Sequence, residues 1–134
     1  MSIDVLQSKI RKTKNPSMIC IAPSILELPM SIKDAARHEY GDTLRAAAEC
    51  YKQFSFGILD ALQGIVPAVS IVSGAFAALG SDGVAAMEEV LAHARSLGYY
   101  VLLDLMRADV ALNAEAMARA CFGSIQVGET SLTP

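Results

Sequence analysis

Three short apolar runs constrain this chain most: Ser17–Ala22 (SMICIA), Ile65–Ser70 (IVPAVS) and Tyr99–Asp104 (YYVLLD). A run that is apolar at nearly every position suits a strand covered on both faces, as in a parallel sheet. Between the runs the period is helical. Leu44, Ala48, Tyr51, Phe54 or Ser55, Ile58 and Leu62 fall on one stripe. Val84, Met87, Leu91 and Ala94 form a second, in a helix that Ser81 is expected to cap and Gly98 to stop. A short helix is predicted over residues 3–12, a loop with at most a helical turn over 23–37, a short helical piece over 73–79 and a helix over 112–121. Ile125–Val127 is expected to begin a fourth strand. Strand–helix alternation of this kind implies parallel strands joined by crossovers. It does not separate a barrel from an open doubly wound sheet, but no glycine-rich phosphate fingerprint follows any strand.

The 134 residues suit a single domain, 1–134. With 53% hydrophobic residues and a mean hydropathy of +0.39, the chain is too apolar for a disordered segment. A net charge of −3 and the lack of a basic patch argue against a nucleic-acid surface. The uncharged stretch Ala61–Ser81 is long enough to span a membrane, but Gly64, Pro67, Gly74 and Gly80 punctuate it, and a strand between two helical pieces is the better reading. The opening MSIDVLQSKIRKTK lacks a leader-like apolar stretch. Cys20, Cys50 and Cys121 are too scattered for a disulfide framework or a metal site and are expected to be buried, reduced thiols of a cytoplasmic protein. His38 and His93 lack partners at metal spacing and are expected to be solvated. No metal or other cofactor is implied.

The segment with most chemical content is Asp104-Leu105-Met106-Arg107-Ala108-Asp109, which closes a strand and opens a loop. In (β/α)-barrels the C-terminal ends of the strands carry the active site. Two carboxylates around a tight turn can both reach a substrate there. They equally suit a turn cap and a helix start, the commoner use of such residues.

Asp104-x-x-Arg107-x-Asp109-Val110 resembles the Asp-x-Lys-x-x-Asp-Ile signature of orotidine 5'-phosphate decarboxylase, in the branch with Arg after the lysine. The opening MSIDVLQSKIRKTKNP, Tyr40-Gly41, Ala46-Ala47-Ala48, Ile65-Val66-Pro67-Ala68-Val69 and Ala114-Glu115-Ala116 extend the resemblance from Met1 to about Gly128. It covers the first half of the family's usual length. It implies the first four or so βα units of a (β/α)8 TIM barrel, with parallel strands, as an N-terminal half-barrel domain. The implied reaction is cofactor-free decarboxylation of orotidine monophosphate to UMP, with a pyrimidine nucleotide as ligand and a homo-oligomer as the assembly.

The resemblance also marks departures. The family's ribose-contacting aspartate at the end of the first strand is Ala22 here, before a retained Pro23. Its second-strand lysine is Ser70, and its signature lysine is Met106. Asp104 and Asp109 match the two signature aspartates and are the candidate catalytic residues. The threonine that follows in the family is Asn113 here.

The family's step leaves a carbanion-like carbon 6, which a fixed lysine stabilises and protonates. Methionine offers neither charge nor proton. Losing a positioned general acid costs about 10²–10⁴-fold, and losing preorganised cations adds to that. Asp104 and Asp109 also lose the cations that would keep both ionised beside an anionic ligand. Arg107 is the cation left nearby and suits a structural pairing with either aspartate.

The family grips phosphate with loops late in the barrel, including an arginine near the end of the chain, which the residues up to Pro134 do not supply. The expectation is therefore a truncated or diverged relative, weakly active or inactive. The competing reading is a non-catalytic half-barrel whose exposed sheet edge and apolar faces lead it to self-associate or to bind a partner protein. A related sugar-phosphate barrel shares the Asp-x-Lys-x-x-Asp pattern, but the opening segment and Arg107 point away from it.

Overall fold

In the computed structural model, which describes residues 2–105 and 110–132, the strand–helix alternation becomes a three-stranded parallel sheet backed by helices. The elements begin with α1 (Ser2–Thr13), β1 (Met18–Ile21), α2 (Met30–Tyr40), α3 (Leu44–Leu62) and β2 (Ala68–Val72). They continue with α4 (Ser73–Ala77), α5 (Gly80–Ser96), β3 (Tyr100–Asp104), α6 (Ala111–Phe122), β4 (Ile125–Val127) and β5 (Thr130–Leu132). The sheet runs in the order β1-β2-β3, and its register aligns Cys20, Ser70 and Leu102 on one rung and Val72 with Asp104 at the upper edge.

Successive side chains of a strand point to opposite faces, and burial follows that alternation. Ile19 and Ile21, Val69 and Ile71, and Val101 and Leu103 all join the core beneath the helices. Met18, Cys20 and Leu102, on the other face, are exposed. Strands in sequence order with helices on one face form a singly wound sheet. A doubly wound sheet would carry helices on both.

The helix layer is built mainly by α3 and α5. Thr43 caps α3: its hydroxyl accepts from the Ala46 N–H at 3.2 Å. At the other end of α3, the Gln63 N–H turns to the Asp60 carbonyl, and the Tyr99 hydroxyl donates to the Leu59 carbonyl at 2.7 Å. Tyr99 thereby satisfies a helix-end carbonyl and joins α3 to the start of β3; burial, with a smaller contribution from Asp60, pushes its hydroxyl pKa up. Lys52 of α3 bridges Glu49 at 2.8 Å and Glu89 of α5 at 3.2 Å. Helix α1 sits at the N-terminal end of the sheet, where Ser2 bonds the Tyr100 hydroxyl and Lys9 donates to the Gly98 carbonyl.

Several expectations are corrected. Residues 30–40 form a full helix where a loop was expected, entered after Pro29 in an extended conformation. Ser81 does not cap α5: the helix starts at Gly80, whose φ of 66° turns the chain out of α4, and no side chain caps it. Val84 points outward at 40% exposure, and Gly83, Ala86 and Val90 join Leu91 and Ala94 on the buried face. Leu44 is likewise exposed, and the buried stripe of α3 runs through Ala48, Tyr51, Ser55 and Leu59.

The expected fourth parallel strand is the largest correction. Ile125–Val127 pairs antiparallel with Thr130–Leu132 in a separate two-stranded sheet. A two-residue loop at Gly128-Glu129, with Gly128 at φ 62°, closes that hairpin, and such loops favour a positive φ. Neither α6 nor the hairpin contributes to the buried core among the described residues. No helix among the described residues is long and apolar enough to cross a membrane.

The contact of α4 with α5 requires glycine at one position. A Cβ on Gly83 would lie 2.0 Å from the Phe76 carbonyl oxygen and 2.8 Å from the Leu79 Cβ. Helix propensity alone favours alanine there by about 1 kcal/mol. Overlap with a backbone oxygen outweighs that, since overpacking costs about 1–3 kcal/mol. Gly83→Ala is therefore expected to lower the melting temperature, whereas Gly57→Ala, whose Cβ meets open space, raises it or leaves it unchanged.

Candidate functional site

In a parallel sheet all strands end on the same side, and their C-terminal ends form a rim from which the connecting loops rise. The residues singled out from the sequence divide between this rim, the middle of β2 and the undescribed segment 106–109. Asp104 is the last residue of β3 and is half-buried. Ser70 lies in the middle of β2 and is 7% exposed, its short side chain set on the rung between Cys20 and Leu102. Ala22 follows the last residue of β1 and is exposed. Met106, Arg107 and Asp109 lie outside the described residues.

Register puts three of these positions on one face. Val72 and Asp104 share a rung, and Ser70 lies two residues before Val72 on the same strand. Ser70 and Asp104 therefore point to the side of the sheet that the helices leave open, with their Cα atoms about 8 Å apart by strand spacing and rise. Ala22, one residue beyond Ile21, continues the alternation that places Cys20 on that face. A long side chain at position 70 would reach the level of the Asp104 carboxylate, and serine does not. The open face offers a hydroxyl, a thiol and a carboxylate on an apolar ground of Met18, Val72 and Leu102.

Two loops border the rim. The first, after β1, runs from Ala22 to Pro29. It buries Pro23 and Leu28, and the Glu27 N–H donates to the Ser24 carbonyl at 2.9 Å. The second is α4, which follows β2 directly and fully buries Phe76. Sequence reasoning placed Tyr51 on the inner stripe of its helix but missed its polar role: its hydroxyl accepts from the Ile25 N–H at 3.2 Å. Only the contact across a sequence separation of 26 residues reveals this, and no local pattern encodes it.

The histidines and cysteines are differentiated by the fold. His38 is exposed, as expected. His93 is not simply solvated: its Nε2 lies 2.7 Å from an Asp60 carboxylate oxygen, and its ring stacks on Phe56 at 4.2 Å between centroids. The pair joins α3 to α5 on the helix side of the sheet, the side opposite Ser70. Cys50 is buried, and burial raises its thiol pKa. Cys20, expected to be buried, is exposed because its strand position faces the uncovered side. Among the described residues no group of three or more His, Cys, Asp or Glu side chains converges to hold a metal ion.

The chain is 32% identical over 121 residues to the orotidine 5'-phosphate decarboxylase of Rhodopirellula baltica, a match covering 90% of this chain and 39% of that protein. It is 40% identical over 65 residues to the enzyme of the same name from a Nocardioides species, covering 46% of this chain and 24% of that protein. A third, from Deinococcus radiodurans, is 39% identical over 74 residues, covering 53% of this chain and 27% of that protein. No family model and no solved structure matches the chain. The chain thus spans about two-fifths or less of the length of these curated relatives, and on these matches it is a partial relative of the orotidine 5'-phosphate decarboxylases.

Proposed function

We propose that this chain is a diverged decarboxylase relative whose strand-end rim takes a pyrimidine nucleotide but does not decarboxylate orotidine monophosphate. The observation that carries this reading is Ser70: it stands where the relatives' second-strand lysine is expected, on the same open face as the retained Asp104. The three parallel strands are read as the opening of a (β/α)-barrel, consistent with their sequential order and one-sided helix layer.

Decarboxylation at carbon 6 needs a positive charge beside the developing carbanion and a proton delivered to it. Asp104 supplies neither when ionised, and the hydroxyl of Ser70 is far too weak an acid to replace an ammonium group. Met106 at the signature position carries no proton to give. The absence of a positioned general acid alone costs about 10²–10⁴-fold. The rim retains a carboxylate able to accept hydrogen bonds from ribose or base, and Asp109 is proposed as the second carboxylate of the site.

One observation favours a second reading, a non-catalytic half-barrel that self-associates. The open sheet face is largely apolar, with Met18 51% and Leu102 44% exposed, and faces of that kind mark interaction surfaces.

Two measurements separate these readings. With the purified chain and orotidine monophosphate, turnover is expected to stay at the level of a heat-killed control, while UMP raises the melting temperature. Turnover abolished by Asp104→Ala would overturn the non-catalytic assignment, and the absence of any shift with UMP would remove the nucleotide from it. Sedimentation combined with thiol labelling addresses self-association. A dimer in which Cys20 becomes protected as concentration rises supports the second reading, and a monomer with Cys20 freely labelled excludes it.

A further inference from the structure

We propose that Tyr51 is a positioning residue of the rim, holding the loop after β1 and the short helix after β2 in one fixed arrangement. For ligand binding this rests on the nucleotide reading above. The clamp itself rests on geometry alone.

Tyr51 lies on α3, outside both loops, and is 7% exposed. Its hydroxyl accepts from the Ile25 N–H at 3.2 Å, and the carbonyl of the same residue accepts from Lys33 Nζ at 3.4 Å. The Ile25 residue is therefore held through both of its backbone polar groups, three positions beyond Ala22. The ring of Tyr51 meets the ring of Phe76 edge-on, with centroids 5.8 Å apart and planes at 90°. That geometry is a favoured one for aromatic pairs. Phe76 is itself fully buried in α4, with Gly83 of α5 packed closely against its backbone carbonyl.

One side chain thus joins the segments that leave the C-terminal ends of β1 and β2, the strands that carry the Ala22 and Ser70 positions. A ring needed only to fill the core could be phenylalanine, which brings no hydroxyl to satisfy. Here the hydroxyl satisfies a loop N–H that would otherwise lie half-buried without this partner. The phenylalanine variant keeps the ring contact with Phe76 and removes only the link to the loop.

The test is native-state hydrogen exchange on the full chain, comparing wild type, Tyr51→Phe and Val90→Ala. Val90 is fully buried on α5 and carries no polar group that could hold the Ile25 amide, so its truncation reports a general loss of stability. Tyr51→Phe is expected to speed exchange of the Ile25 amide roughly tenfold, the scale of one net hydrogen bond. Val90→Ala should lower the melting temperature without that local effect. UMP affinity should fall several-fold in Tyr51→Phe and stay near wild type in Val90→Ala.

An Ile25 amide that exchanges equally in wild type and Tyr51→Phe overturns the clamp, as does an equal acceleration in Val90→Ala. If wild type binds UMP and Tyr51→Phe binds it as tightly, the positioning role is overturned. If wild type does not bind UMP, the nucleotide reading fails, and the exchange data alone judge the clamp.

Discussion

The two-residue period of β2 governs the whole arrangement. Val69 and Ile71 are completely buried beneath α3 and α5, and burying two such side chains contributes about 1.5–3 kcal/mol each. Ser70 lies between them and is sent to the opposite face by the geometry of an extended chain. A slip of one residue would drive Ser70 into the helix layer and expose both aliphatic side chains, so the register is strongly specified. Core and candidate site are therefore written by alternate residues of the same strand. Lateral register extends the division to Cys20 and Leu102 on either side and to Asp104 at the rim.

Much of this was legible from the amino-acid pattern. The three apolar runs became the three strands within three residues at each end, and the two long amphipathic stretches became α3 and α5. Asp104 lies at a strand end because its apolar run stops there. The failures have physical causes. Residues 30–40 are polar and follow two prolines, which hid a helix that buries little beyond Ala36. Ser81 resembled a cap, but Gly80 begins the helix one residue earlier.

The fourth strand was not legible because a segment as short as Ile125-Gln126-Val127 fits either a parallel strand or a hairpin arm, and only the Gly128-Glu129 turn separates the two. Burial of Cys20 was expected from composition, but a strand with helices on one side has only one buried face. Tyr51 was legible as core and illegible as a loop clamp, since its partner is set by tertiary structure.

The chemistry left at the rim is that of a carboxylate on an uncovered, largely apolar sheet face. The Rhodopirellula baltica decarboxylase matches the sequence of this chain over most of its length, and at the two positions read above as counterparts of the family's lysines the chain carries a serine and a methionine. Val69 and Ile71 answer to packing under the helices, whereas Ser70, on the opposite face, is free of that constraint. Beside the ends of β1 and β2, Tyr51, Phe76 and Gly83 are packed against one another in buried contacts.

The most direct test of this account is to map by NMR which backbone amides respond as UMP is titrated into the labelled chain. The account predicts that Ala22, Ser70, Val72 and Asp104 shift together and saturate with one affinity, while Asp60 and His93 on the helix side stay still. Shifts confined to the helix layer, or scattered without saturation, would contradict it.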